Sequence, residues 1–391
     1  MGGPQAEPRD RGNAQSGFRP PGWRTLPPLA RAFLRYAVKT RDPALVPVTM
    51  LQREVDGEID RFTADIFADV EAALHSGIED GRLELTDEAT DVRFDYDTRL
   101  LLPAMLTHGR LHIQARNLPL ARTVRRVNTP FLTRARSTTR EIVRALLDGD
   151  MRDAINDDEF ADFQTTVKPR EEAARIAQSC LEDGVEQWLS DPETPPDVGK
   201  HYRRAVRFSE GHQDRDRQYR DLLANLTEAK DDAARRQAAR AVRTRYRDAD
   251  PDAPADLFTD QTHLPYFGTQ YERVGIIYED MLNMYEAALS IDLGRPFKRS
   301  LVLMVIAAQV GLDDTDDYPA DKGTQLTPVT AELNLHEPGV GIGRLRRIVL
   351  DYLDRAAQSS PDHLTGMAIE FIRQEALDRL ATLEQTVTPT G

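Results

Sequence analysis

The chain has 391 residues, of which 40% are apolar and 30% charged; this balance excludes a disordered or fibrous protein and allows a large buried core. Its 65 acidic against 51 basic side chains leave a net charge of −14, which repels phosphate backbones and argues against DNA as a partner. A single cysteine, Cys180, excludes an intramolecular disulfide and a cysteine-based zinc site, and suits a reducing, cytoplasmic setting.

Residues 1 to about 26 are rich in Pro, Gly, Arg and Gln and lack periodicity, so a disordered N-terminal arm is expected there, without the apolar core of a signal peptide. From 27 to 391 helical spacing dominates. Ile59, Phe62, Ile66, Phe67, Val70 and Ala73 fall on one helical face, as do Val274, Ile277, Met281, Met284, Tyr285 and Leu289, then Leu345, Ile348, Val349, Tyr352 and Leu353. Strand-like alternation is confined to Val92–Tyr96. Met281, Met284 and Tyr285 read as core, and so does Cys180. Leu301–Ala308 is the longest apolar run, far short of the roughly 20 residues that span a bilayer, and reads as a buried helix with no transmembrane segment.

Connections are expected at Asp191–Pro196, Asp248–Pro254, Pro319–Pro328 and His336–Gly343, where Pro, Gly and Asp cluster. The resulting fold class is all-α, a bundle of roughly a dozen helices over 27–391, with a possible subdivision near 248–256.

Charge is unevenly spread. Between Arg99 and Arg140 there is no acidic residue, while Arg99, Arg110, Arg116, Arg122, Arg125, Arg126, Arg134, Arg136 and Arg140 are all basic. Such a segment (99–140) would bind an acidic partner, RNA or an anionic membrane surface; alternatively its guanidinium groups pair with carboxylates of the same chain. Within it, His108 and His112 stand at i and i+4, a spacing that can ligate zinc. No glutamate follows the first histidine, and the sequence offers no third ligand.

The stretch with most chemical content follows the apolar helix. Four aspartates, Asp313, Asp314, Asp316 and Asp317, crowd its end, where the helix dipole is negative and disfavours anions; Pro319 is expected to stop it. A divalent cation would reverse that penalty, and an oxygen-only set suits Mg2+. The competing reading is a solvated acidic helix end.

The motif Asp313-Asp314-x-x-Asp317 at the end of a buried helix resembles the aspartate signature of the isoprenoid synthase superfamily, the trans-prenyl transferases and terpenoid synthases. Gln309 precedes it, one residue further upstream than that family's glutamine. Lys322-Gly323 and Leu326-Thr327-Pro328 follow, near the family's glycine-lysine and threonine-leucine-proline but each with two residues in swapped order. The resemblance covers about 25 residues. It implies an all-α fold, with Asp313, Asp314 and Asp317 holding Mg2+ against a prenyl diphosphate, Gln309 and Lys322 on the substrate, and a homodimer as one arrangement of such chains. The leaving pyrophosphate would be neutralised by the metal while a carbocation forms in an apolar cavity. A first aspartate motif should lie upstream, and Asp157–Asp162 is the candidate. The alternative function is a non-enzymatic helical interaction protein that uses the arginine segment.

Overall fold

The computed structural model describes residues 36, 39–40, 45–96, 101–115, 128–157, 160, 163–247, 269–323, 325 and 327–388. The expected N-terminal arm, the boundary near 248–256, most of Asp157–Asp162 and five of the arginines (Arg99, Arg116, Arg122, Arg125, Arg126) lie outside the described residues.

Among the described residues the architecture is all-α, as the 3.6-residue periodicity predicts, with twelve helices and four strand stubs. Helix α1 (Leu45–Glu79) turns Leu51, Val55, Ile59, Ile66, Val70 and Leu74 inward at spacings of four and seven, while Phe62 and Phe67 flank that seam half-buried. Helix α2 (Leu102–Ala115) is buried almost all round, its polar residues included. Helices α3 (Thr129–Asp157) and α4 (Arg170–Ser190) pack against each other, and α4 also lies along α1. Helices α5 (Pro196–Thr227) and α6 (Asp232–Arg247) form a hairpin, and α5 runs along α7 (Thr269–Leu289).

Strand stubs link the two halves of this first layer. Stub β1 (Glu84–Leu85) pairs antiparallel with β4 (Val167–Lys168), and β2 (Phe94–Tyr96) with β3 (Phe163–Thr165), with Asp95 opposite Gln164. Phe94 and Phe163 stack beneath them, ring centroids 5.8 Å apart. The alternation at Val92–Tyr96 marks β2; the other stubs are too short to leave a period of their own.

The centre is α8 (Arg295–Ala308), buried continuously from Ser300 to Ala307 and enclosed by α7, α11 (Pro338–Ser359) and α12 (His363–Val387). Its one buried hydroxyl, Ser300, donates to the Ala356 carbonyl at 2.8 Å, so no polar group is stranded. One core runs from Leu51 to Leu383, and a small second cluster joins α5, α6 and α10 (Pro328–Leu335) through Leu223, Leu226, Val242 and Ala331.

Two expected loops are shorter than their composition implies. Pro319 does not end the helix: α9 (Asp314–Asp321) carries it internally, and the Lys322 N–H still reaches the Tyr318 carbonyl at 3.0 Å. Only His336 and Glu337 separate α10 from α11, because Pro338 at the first helical position starts α11 and draws Gly339–Gly343 into it. Thr327 and Pro328 act as N-cap and first residue of α10, with Thr330 completing a reciprocal cap.

Between α8 and α9, Gln309–Asp313 forms one π-helical turn. It presses on α11 and α12 through Gly311, where an added Cβ would lie 2.5 Å from the Ala376 Cβ and 3.4 Å from Val349. Gly311→Ala is expected to lower the denaturant midpoint by an amount equivalent to about 1–3 kcal/mol, as overpacking does. An unchanged midpoint would mean that this contact is looser than the geometry requires.

Candidate functional site

The π turn sets the geometry of the aspartate motif. Its wide ring is closed by the Asp314 N–H donating to the Gln309 carbonyl, and the Thr315 hydroxyl caps the Val310 carbonyl at 2.8 Å. Turns of this kind concentrate at functional sites, and each shifts the side chains beyond it relative to the helix before it. The four aspartates differ in exposure. Asp313 is half-buried and accepts from Gln309 Nε2 at 2.5 Å; Asp314 is buried; Asp316 is exposed and ion-paired with Arg379 of α12; Asp317 is exposed. Lys322 is exposed beyond the end of α9.

Asp313 and Gln309 line a narrow cavity of about 30 Å³ with Leu102, Leu312, Phe371 and Tyr278. Gln309 and Tyr278 also line a second cavity of about 160 Å³ between α3, α5 and α7. That cavity has an apolar wall, Ile142, Ala145, Leu146, Ile277, Met281 and Met284, and a carboxylate wall, Asp148, Asp150 and Asp153 of α3. Its volume matches that of an engineered cavity that binds benzene, about 150 Å³.

Tyr278, where the cavities meet, has its phenol pushed well up by burial and then by the negative charges of Asp150, Asp313 and Asp153, so it stays protonated. Asp313 thus shares an electrostatic environment with two carboxylates more than 150 positions upstream. Asp148 is held differently. It accepts from Tyr202 Oη at 2.9 Å, Arg152 Nε at 3.1 Å and Gln178 Nε2 at 3.2 Å, yet burial still pushes its carboxyl up, against the opposing pull of Arg152.

The upstream carboxylates on the neighbouring cavity are Asp150 and Asp153, a few residues before the expected Asp157–Asp162, most of which lies outside the described residues. Asp150 and Asp153 stand at i and i+3 on α3, a spacing that the sequence does contain. The doublet Asp157-Asp158 looks more like the motif but falls where α3 ends.

The histidine pair forms a second polar centre. His108 and His112 are fully buried on α2, and Glu58 of α1, also buried, supplies the third group that the local sequence lacks. Glu58 Oε2 lies 2.8 Å from His108 Nε2 and 3.1 Å from His112 Nε2, and the two Nε2 atoms are 3.2 Å apart. Arg136 of α3 donates Nε to both Glu58 oxygens at 3.0 Å and its terminal nitrogen to Oε1 at 2.6 Å. Burial alone would raise the Glu58 carboxyl, but the hydrogen bonds from His108, His112 and Arg136 outweigh it and hold the group far below the carboxylate range. Burial pushes His108 down, towards the neutral imidazole.

Of the arginine segment, Arg110 pairs with Asp362 at 2.9 Å, Arg136 with Glu58, and Arg140 with Glu141 and Asp69 at 3.4 and 3.8 Å. Its described part is engaged largely within the chain. Cys180 is half-buried rather than fully enclosed, with its thiol pushed up by burial. Met281, Met284 and Tyr285 are core residues, as their spacing predicts.

No protein-family model, curated protein or solved structure matches the chain. No helix among the described residues is long and apolar enough to cross a membrane.

Tyr202→Phe removes one donor from buried Asp148. It is expected to cost about 1–3 kcal/mol of unfolding free energy, the penalty for an under-satisfied buried group. Denaturant unfolding with no loss of stability would show that Asp148 needs no donor from α5.

Proposed function

We propose that the chain is a divergent, Mg2+-dependent isoprenoid-synthase-like protein that acts on a prenyl diphosphate. The observation that carries this reading is the placement of Asp313 on one cavity and of Asp150 and Asp153 on a second, apolar-walled cavity, with Tyr278 and Gln309 lining both. An all-α bundle whose carboxylates approach a greasy cavity from two separate helices is the arrangement that the aspartate motif implies.

The donor set fits the metal in part. Asp313, Asp150 and Asp153 offer oxygen only, as Mg2+ requires, but their carboxylates do not converge on one point, so water and phosphate oxygens would have to bridge between them and the ions. Of the other two aspartates of the motif, Asp314 is buried and Asp317 exposed. When bound, Mg2+ would neutralise the charge of the departing diphosphate.

The chain's own side chains have separable roles. Gln309 orients Asp313 by donating to it. Tyr278, kept protonated, offers a hydroxyl where the two cavities join. Ile277, Met281 and Met284 exclude water from the hydrocarbon; a cavity of about 160 Å³ takes a short isoprenyl unit, and a longer chain requires the apolar wall to move.

The test is pyrophosphate release from dimethylallyl, geranyl and farnesyl diphosphate, each with and without isopentenyl diphosphate, in Mg2+. Asp313→Asn and Asp153→Asn are each expected to lower the rate by about a hundred-fold or more, in line with the loss of one transition-state charge partner. Chelation should abolish the reaction. Absence of Mg2+-dependent release from every substrate, or an undiminished rate in the double variant, overturns the proposal.

A further inference from the structure

We propose that Glu58, His108 and His112 form a binding site for a late first-row divalent metal ion, Zn2+ being the natural occupant, which ties α1 to α2. This site is independent of the aspartate cavity and of the function proposed for it.

The first argument is geometric. Three ligand atoms, Glu58 Oε2, His108 Nε2 and His112 Nε2, make a triangle with edges of 2.8, 3.1 and 3.2 Å. A metal bonded to nitrogen and oxygen at about 2.0–2.2 Å separates neighbouring ligand atoms by about 2.9–3.5 Å. The triangle is therefore close to the size of one face of a coordination shell. The i, i+4 spacing on α2 brings both imidazoles to one side, and their rings stand nearly perpendicular at 78°, so the Nε2 atoms converge without the rings stacking.

The second argument concerns protons. The Thr139 hydroxyl donates to the Ala135 carbonyl at 2.8 Å, so it meets His108 Nδ1, 3.0 Å away, as an acceptor. Nδ1 can therefore keep an imidazole proton when Nε2 gives its lone pair to a metal. His112 likewise has its Nδ1 towards an oxygen, Glu54 Oε1, at 3.9 Å. His108 thus has its far nitrogen on an outer oxygen within hydrogen-bond distance and its near nitrogen on the common centre, the arrangement that outer partners impose on metal-bound histidines; Glu54 stands further from His112. A divalent cation at the centre would take the place of the imidazole protons that otherwise bond to Glu58, so that binding releases protons.

The third argument is the surroundings. The ligand residues are buried, and Arg136 grips Glu58 chiefly through Oε1, which fixes the carboxylate and leaves Oε2 facing the histidines. Two imidazoles and one carboxylate suit Zn2+ or its neighbours, whereas Mg2+ and Ca2+ prefer oxygen alone. The sequence contains no Glu after His108, so the site lacks the base of a helical zinc hydrolase motif. The role that follows is a structural bond between helices, with α3 contributing its outer partners.

The experiment uses the tag-free full chain, stripped with a strong chelator and shown to remain folded by circular dichroism. Titration with Co2+ should give visible d–d bands that saturate at one equivalent and vanish when one equivalent of Zn2+ is added. The Asp313→Asn, Asp153→Asn double variant should bind the same equivalent. His112→Gln should lose the bands, and Thr139→Val, which keeps all three ligands, should bind about ten- to a hundred-fold more weakly. The proposal is overturned if the folded wild-type chain develops no Co2+ spectrum and takes up no Zn2+, or if His112→Gln binds as the wild type does.

Discussion

A helix without a polar face has to be surrounded, and the arrangement of this protein follows from enclosing α8. Eight consecutive buried residues, Ser300 to Ala307, exclude solvent on every side, so α7, α11 and α12 must close around them. Burying that much apolar surface is the dominant favourable term available to the fold. It also dictates where the polar residues behind the helix emerge. Gln309 and Asp313 follow directly on that run and line a cavity with Tyr278.

Enclosure on this scale makes each internal charge expensive, and the protein meets the cost by clustering donors from different helices on single carboxylates. Asp148 draws on α3, α4 and α5; Asp280 of α7 has His201 Nδ1 at 3.0 Å and forms an ion pair with Arg204 at 3.3 Å, both from α5; Glu332 of α10 receives Arg344 Nε at 2.6 Å from α11. Each hub joins neighbouring helices in a way that apolar contact, being non-directional, does not. The chain's preference for arginine over lysine has a use here, since a planar fork can serve a buried carboxylate through two nitrogens at once.

Much of the fold was legible because helices leave a periodic trace. The inner face of α1, the core status of Met281, Met284 and Tyr285, and the unbroken apolar run of α8 all follow from spacing alone. Two kinds of feature were not legible. Pro319 and the glycines after Pro338 carry strong loop signals, yet neighbouring turns override them: propensity is local, and a residue next to a started helix is swept into it. The candidate sites depend on encounters between distant segments. Asp150 and Asp153 gain meaning beside Asp313, and His108 and His112 beside Glu58, 50 positions upstream.

The paired stubs carry a consequence for how the chain assembles. Glu84 meets Lys168 and Phe94 meets Thr165, so each pairing closes a loop that contains all of α2 and α3. The entropy of such closure grows with loop length, and two or three ladder residues return little against it. The stubs therefore act as a clasp fastened late, after the helices have already brought its ends together. What they contribute is registry: once shut, the clasp prevents α1 and α4 from sliding past each other by a turn, a displacement that ridges-into-grooves packing alone tolerates at modest cost.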